Sequence, residues 1–125
     1  MTDLLSLADE IEALQGPSRE MDERIAINLG LLSEADSVFD EGGNYLNRSS
    51  PYTHSVDAAL SLVPDGLYPA VDYPYTYDYP IYRCTPTTVG SNHCEYSKLR
   101  GEAKTLPLSI SAASLRALAH NRGDL

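Results

Sequence analysis

The hydrophobic period of this 125-residue chain changes at Pro64-Asp65-Gly66, and that change limits the fold more than any other feature. Upstream, apolar residues recur three and four apart, the spacing of one helix face; downstream, Tyr73, Tyr75, Tyr77 and Tyr79 alternate at the period of a strand. Helices, then extended segments, then a final helix describe an α+β chain.

The helical half divides at its turn residues. A first helix is predicted over about 3–15, with Leu4, Leu7, Ala8, Ile11 and Leu14 on one face and Asp9, Glu10 and Glu12 on the other. Gly16 is expected in a left-handed C-cap, with Pro17 as the stop. Ser18 then caps a second helix with the stripe Met21, Ile25, Leu29 and Leu32, giving an antiparallel helical hairpin. Residues 33–51, broken by Gly42-Gly43, read as a mobile loop opened by a continuation of that helix. In Tyr52–Gly66, Thr53 and Ser55 are both candidate N-caps, and Val56, Ala59, Leu60 and Val63 form a short stripe that needs a packing partner. Gly66 is expected to take a positive φ. A last helix is predicted over 106–121, capped by Thr105, with the stripe Leu108, Ala112, Leu115 and Ala119. Ile110, Ala113 and Leu118 widen that stripe, while Arg116 and His120 suit the C-terminal end of the dipole.

Between these helices, Pro74 and Pro80 restrict the tyrosine row to an edge strand or a polyproline-like loop. Residues 81–86 and 93–99 read as two strands of a hairpin, in a register that sets Cys84 opposite Cys94. The predicted architecture is a single α+β domain over 1–125. A helical hairpin and two further helices pack on a small antiparallel sheet, an α/β/α-type sandwich. With so few strands, a second copy is expected to extend the sheet in a homo-oligomer.

Charge narrows the partners. Residues 1–80 hold fifteen Asp/Glu against three Lys/Arg, whereas 81–125 hold three against six, within a net charge of −9. That balance disfavours non-specific nucleic-acid binding. The acidic half is either a solvated surface or a face that competes for a basic partner. No run approaches the roughly 18 apolar residues of a membrane helix, and the acidic start lacks the basic segment of a signal peptide. A cytoplasmic protein with no membrane partner is expected.

Catalytic patterns are missing from the sequence. There is no G-x-S-x-G, H-E-x-x-H, P-loop or G-x-G-x-x-G, and the three histidines lie far apart. His54 reads as a solvent-facing residue or a ligand contact, and Asp57 as a helix-start carboxylate rather than a general base. Cys84, His93 and Cys94 have poor spacing for zinc, because adjacent strand residues face opposite ways. A cross-strand disulfide fits the hairpin register, but a reducing compartment favours two buried thiols. Neither an enzyme nor a bound cofactor or metal is expected.

Six of the nine tyrosines fall between Tyr68 and Tyr82, closely followed by Arg83, Lys98, Arg100 and Lys104. Tyrosine faces stack on bases and guanidinium groups hold phosphates, so Tyr73, Tyr75, Tyr77, Tyr79, Tyr82, Arg83, Lys98 and Arg100 form a candidate nucleotide-type site. The alternative is a tyrosine-rich strand buried between copies of the chain.

Y-T-x-S-x-D-A-A-L-x-L-V-P, from Tyr52 to Pro64, resembles a motif of the phage ABA-sandwich domain family, and the helix pair and Ala/Leu-rich C-terminal helix fit the same pattern. Together these segments cover well over half the chain; the departures lie between Leu67 and Lys104. The resemblance implies a small tailed-phage or prophage accessory protein of the host cytoplasm, a kind that often antagonises host defence. Joined to the tyrosine and arginine cluster, it suggests non-catalytic sequestration of a small (cyclic) nucleotide immune signal. The other expectations are an acidic inhibitor that binds a host defence protein, or a structural or assembly accessory protein.

Overall fold

A computed structural model describes residues 3–31, 49–72, 82–87 and 99–121. Their elements are α1 (Leu4–Glu12), α2 (Arg19–Asn28), α3 (Val56–Leu60), β1 (Tyr68–Asp72), β2 (Tyr82–Thr87), β3 (Gly101–Ala103) and α4 (Leu106–Asn121). The strands form an antiparallel sheet in the order β1-β2-β3, so the chain is α+β as its periodicities predict.

α4 is the centre of the molecule. Leu108, Ile110, Ala112, Ala113, Leu115, Ala117 and Ala119 are all buried, as are Ser109, Ser111 and Ser114, so the helix is covered on nearly every side. It packs on β2 and β3, on α1 and on α3. Leu108, Ala112, Leu115 and Ala119 join Leu4, Leu7, Ala8 and Ile11 of α1 and Met21, Ile25 and Ala26 of α2 in one core. Ile110 and Ala113 join Ala59 of α3 and Cys84 of β2 in a second. Each fully buried Leu or Ile contributes about 2 kcal/mol from removal of apolar surface. The layers therefore run sheet, α4, then α1 with α2; among the described residues all four helices lie on one side of the sheet, so the α+β class holds while the predicted α/β/α-type layering is replaced by a one-sided stack centred on α4. The helical hairpin is the outer layer, and α1 leans more on α4 than on α2.

The helix ends differ from expectation for local reasons. α1 stops at Glu12, where Ala13 N–H and Leu14 N–H bond three residues back to Glu10 and Ile11, closing the last turn without a left-handed residue. Gly16 accordingly has no positive φ. α2 stops at Asn28: Gly30 takes φ +77°, Leu31 N–H reaches the Ala26 carbonyl and Gly30 N–H the Ile27 carbonyl. That Schellman arrangement ends α2 ahead of the predicted continuation, while Leu32 and residues 33–48 lie outside the described residues. Ser55, not Thr53, caps α3, its hydroxyl accepting from Ala58 N–H. With only five residues, α3 buries Ala59 and leaves Val56 and Leu60 exposed, so the predicted stripe is only half realised. Gly66 does take the predicted positive φ, at +87°.

The sheet register is also corrected. Cys84 lies opposite Val71 on one side and Gly101 on the other, so the predicted facing of Cys84 and Cys94 does not occur. Gly101 supplies the reason. It lies against the α4 backbone at Ser109 and Ala113, where no side chain fits, and this seats Gly101 in register with Cys84.

Both edges of the described sheet are blunted. At β3 the outward Glu102 N–H donates to Glu12 Oε2 at 2.7 Å. Antiparallel alternation then puts Pro69–Pro86 at a non-hydrogen-bonded pair of the β1–β2 ladder, so neither proline breaks it and Pro69 faces outward without a donor. Extension of this sheet by a second copy would meet no free N–H at either position.

Candidate functional site

The outer side of the sheet, turned away from α4, carries the described part of the predicted site. Gly101 and Ala103 face the helices, so Glu102 between them faces outward, and the register brings Arg83 opposite it. Arg83 Nε lies 3.5 Å from Glu102 Oε1, and Arg100 Nη1 lies 3.8 Å from the same oxygen. The three side chains remain 46%, 38% and 43% exposed for Arg83, Arg100 and Glu102. Arg100 Nε is buried and has no hydrogen-bond partner. Asp72 of β1 flanks Arg83 in register, whereas Thr85 further along the same side is buried. The face is open at its Arg83–Arg100 end, where two guanidinium groups converge on one carboxylate, and at Tyr68 at the other end.

Main-chain anchoring holds this end in place. Arg116 of α4 forks onto both oxygens of Glu12, reaches Asp9 Oδ1 at 2.7 Å, and donates through Nη1 to the Arg100 carbonyl at 2.6 Å. Glu12 in turn accepts from Glu102 N–H. The Arg116 guanidinium has its pKa raised, chiefly by the hydrogen bonds to Glu12, so it stays charged in spite of partial burial. One partly buried ion pair therefore holds the backbone at both Arg100 and Glu102.

The structure separates the remaining predicted residues. Tyr82 pairs with Ala103 and so faces the helix side, opposite to its neighbour Arg83. Lys104 bonds to Gln15, three residues past the end of α1, rather than joining the arginine pair. Tyr73, Tyr75, Tyr77, Tyr79 and Lys98 lie outside the described residues, as do His93, Cys94 and most of the predicted 33–51 loop. Sequence reasoning missed Glu102, which lies two residues after Arg100 in the three-residue strand β3.

A second hollow, of about 380 Å³, opens between Pro17, Ser18, Arg19, Asp22, Pro51 and His54. Its floor is structural. Buried Thr53 accepts from Ser18 N–H through its hydroxyl and donates both its amide and that hydroxyl to Asp22 Oδ1, each at 2.8 Å. Burial pushes the Asp22 pKa up, against the opposing pull of the Thr53 bonds and of nearby His54 and Arg19. His54 is exposed at the rim.

Chemistry beyond binding finds few groups. Cys84 is a free buried thiol whose pKa desolvation pushes up to about 12, which leaves it a poor nucleophile. No group of three or more His, Cys, Asp or Glu able to hold a metal occurs among the described residues, and no described helix is long and apolar enough to cross a membrane. The acidic face of α1 is largely spoken for: Glu10 pairs with Arg24, and Asp9 and Glu12 pair with Arg116. In the Tyr52–Pro64 motif, Tyr52, Thr53, Ala59 and Leu62 are buried and Ser55 is a helix cap, so its residues serve packing. Compared with family models, curated proteins and solved structures, the chain matches none.

Proposed function

We propose that this protein is a non-catalytic binding protein that captures a small phosphate-bearing ligand of the nucleotide class at the Arg83–Arg100 end of the sheet. The observation that carries this reading is the convergence of two exposed guanidinium groups on one carboxylate oxygen. Guanidinium forks match phosphate oxygens in geometry and charge, and an exposed ion pair is weak enough to be exchanged for a ligand. In the sequence, the tyrosine row offered for base stacking starts at the residue after Asp72, which is paired with Arg83. Capture without turnover, in a phage protein that removes an immune signal from the host cytoplasm, is the setting that the Tyr52–Pro64 resemblance suggests. The acidic-inhibitor alternative is less well supported, because Asp9, Glu10 and Glu12 are engaged by arginines of the same chain.

Native mass spectrometry of the purified protein with a panel of linear and cyclic nucleotides tests the reading and reports the subunit count at the same time. A nucleotide adduct that disappears in Arg83→Ala and Arg100→Ala supports it. No adduct with any nucleotide, or adducts indifferent to both substitutions, overturns it.

A further inference from the structure

Glu102 is more than a neighbour of the arginine pair. Its Oε1 is the atom that both guanidinium groups approach, and its backbone is held by Glu12 while Arg100's is held by Arg116. The carboxylate is therefore tethered over the place a ligand anion would occupy. Asp72, in register beside Arg83, adds a second negative group to the same face.

We propose that Glu102 is a built-in competitor that reserves the Arg83–Arg100 pair for ligands ending in a phosphate monoester or a diphosphate. The proposal rests on the arginine-face reading above and narrows it. A ligand group with one negative charge, such as a carboxylate or a phosphodiester, offers the arginines no more charge than Glu102 already supplies. It must also give up translational freedom that the tethered side chain has already lost. Exchange for such a group yields almost nothing. A terminal phosphate carries nearly two negative charges at neutral pH and a diphosphate carries more, and their several oxygens serve both guanidinium groups at once. Glu102, already 43% exposed, then swings to water at small cost. The selected class is thus a linear nucleotide with a free phosphate end, in preference to a cyclic mononucleotide whose single phosphate is a diester.

The test is calorimetric titration of the full chain and its Glu102→Gln variant with inorganic pyrophosphate, a nucleoside 5′-diphosphate and a 3′,5′-cyclic mononucleotide, with Arg83→Ala and Arg100→Ala as controls. Wild type is expected to bind the first two and to exclude the cyclic ligand. Glu102→Gln is expected to gain at least about fivefold in affinity for all three probes, since each must displace the same carboxylate, and this brings the cyclic ligand into the measurable range. Binding that needs both arginines but is no tighter in Glu102→Gln overturns the role of Glu102 and leaves the arginine site standing. Binding indifferent to both arginines, or no binding of any probe to either protein, overturns the site and this proposal together.

Discussion

Gly101 and Ser109 meet where β3 crosses α4, so closely that a methyl group at Gly101 would overlap the Ser109 carbonyl oxygen and lie 2.7 Å from the Ala113 nitrogen. Both obstacles are helix backbone and cannot rotate away. Gly101→Ala is expected to destabilise the fold by about 2–3 kcal/mol, seen as a lower urea midpoint at unchanged slope. A variant as stable as wild type would mean that β3 does not pack on α4 in this way.

The Arg116–Glu12 pair is a second point of failure. The Arg116 side chain is 14% exposed and that of Glu12 24%, and Arg116→Met leaves the Glu12 carboxylate without its fork. A loss of about 2 kcal/mol is expected for Arg116→Met and a similar loss for Glu12→Gln, with strong non-additivity in the double variant. Asp9→Asn should cost far less, since that carboxylate is 75% exposed. Thermal denaturation of the four variants checks the order.

Asp22 gives a pH signature of defined sign. Burial raises its folded-state pKa above the ordinary 3.8, so the folded protein holds this proton more tightly than the unfolded chain does. The stabilising contribution is full below 3.8 and is lost as pH rises through the folded value. Relative to Asp22→Asn, wild type should therefore lose melting temperature as pH is raised from about 4 to about 7. A difference between the two proteins that does not vary with pH would contradict the burial of this carboxylate.

Cys84 should be chemically silent in the native state. With its thiol pKa pushed from 9.0 to about 12, almost none of it is thiolate near neutrality. In a Cys94→Ser background, reaction with an aromatic disulfide reagent is expected only at the rate of local or global opening, and to become immediate in denaturant. Rapid labelling of the native protein would overturn the buried placement of β2 against α3 and α4.

Much of the fold was legible because it depends on local signals. Thr105 and Pro107 mark the start of α4, Ser18 caps α2, and the leucine and alanine spacings name the core faces. What stayed hidden depends on tertiary contact. Gly30 was visible in the sequence, but its helix-stopping role competed with a hydrophobic pattern that ran on to Leu32. The strand register followed from Gly101 fitting under α4, a steric fact with no local signature, so a hairpin through Cys94 looked equally good on paper. Of the candidate site, Arg83 and Arg100 were found by charge. Glu102 was overlooked because a three-residue strand is too short to show alternation, and Tyr82 was grouped with Arg83 although adjacent strand residues face opposite ways.

The grip of Arg116 and Glu12 on β3 falls on a carbonyl and an amide, atoms that every residue type supplies except for proline's missing N–H. Side chains at Arg100 and Glu102 can therefore drift through a lineage while the strand beneath them stays fixed. α4, hemmed in on all sides, has little such freedom. Related proteins should accordingly diverge fastest on the outward side of the sheet while keeping one fold.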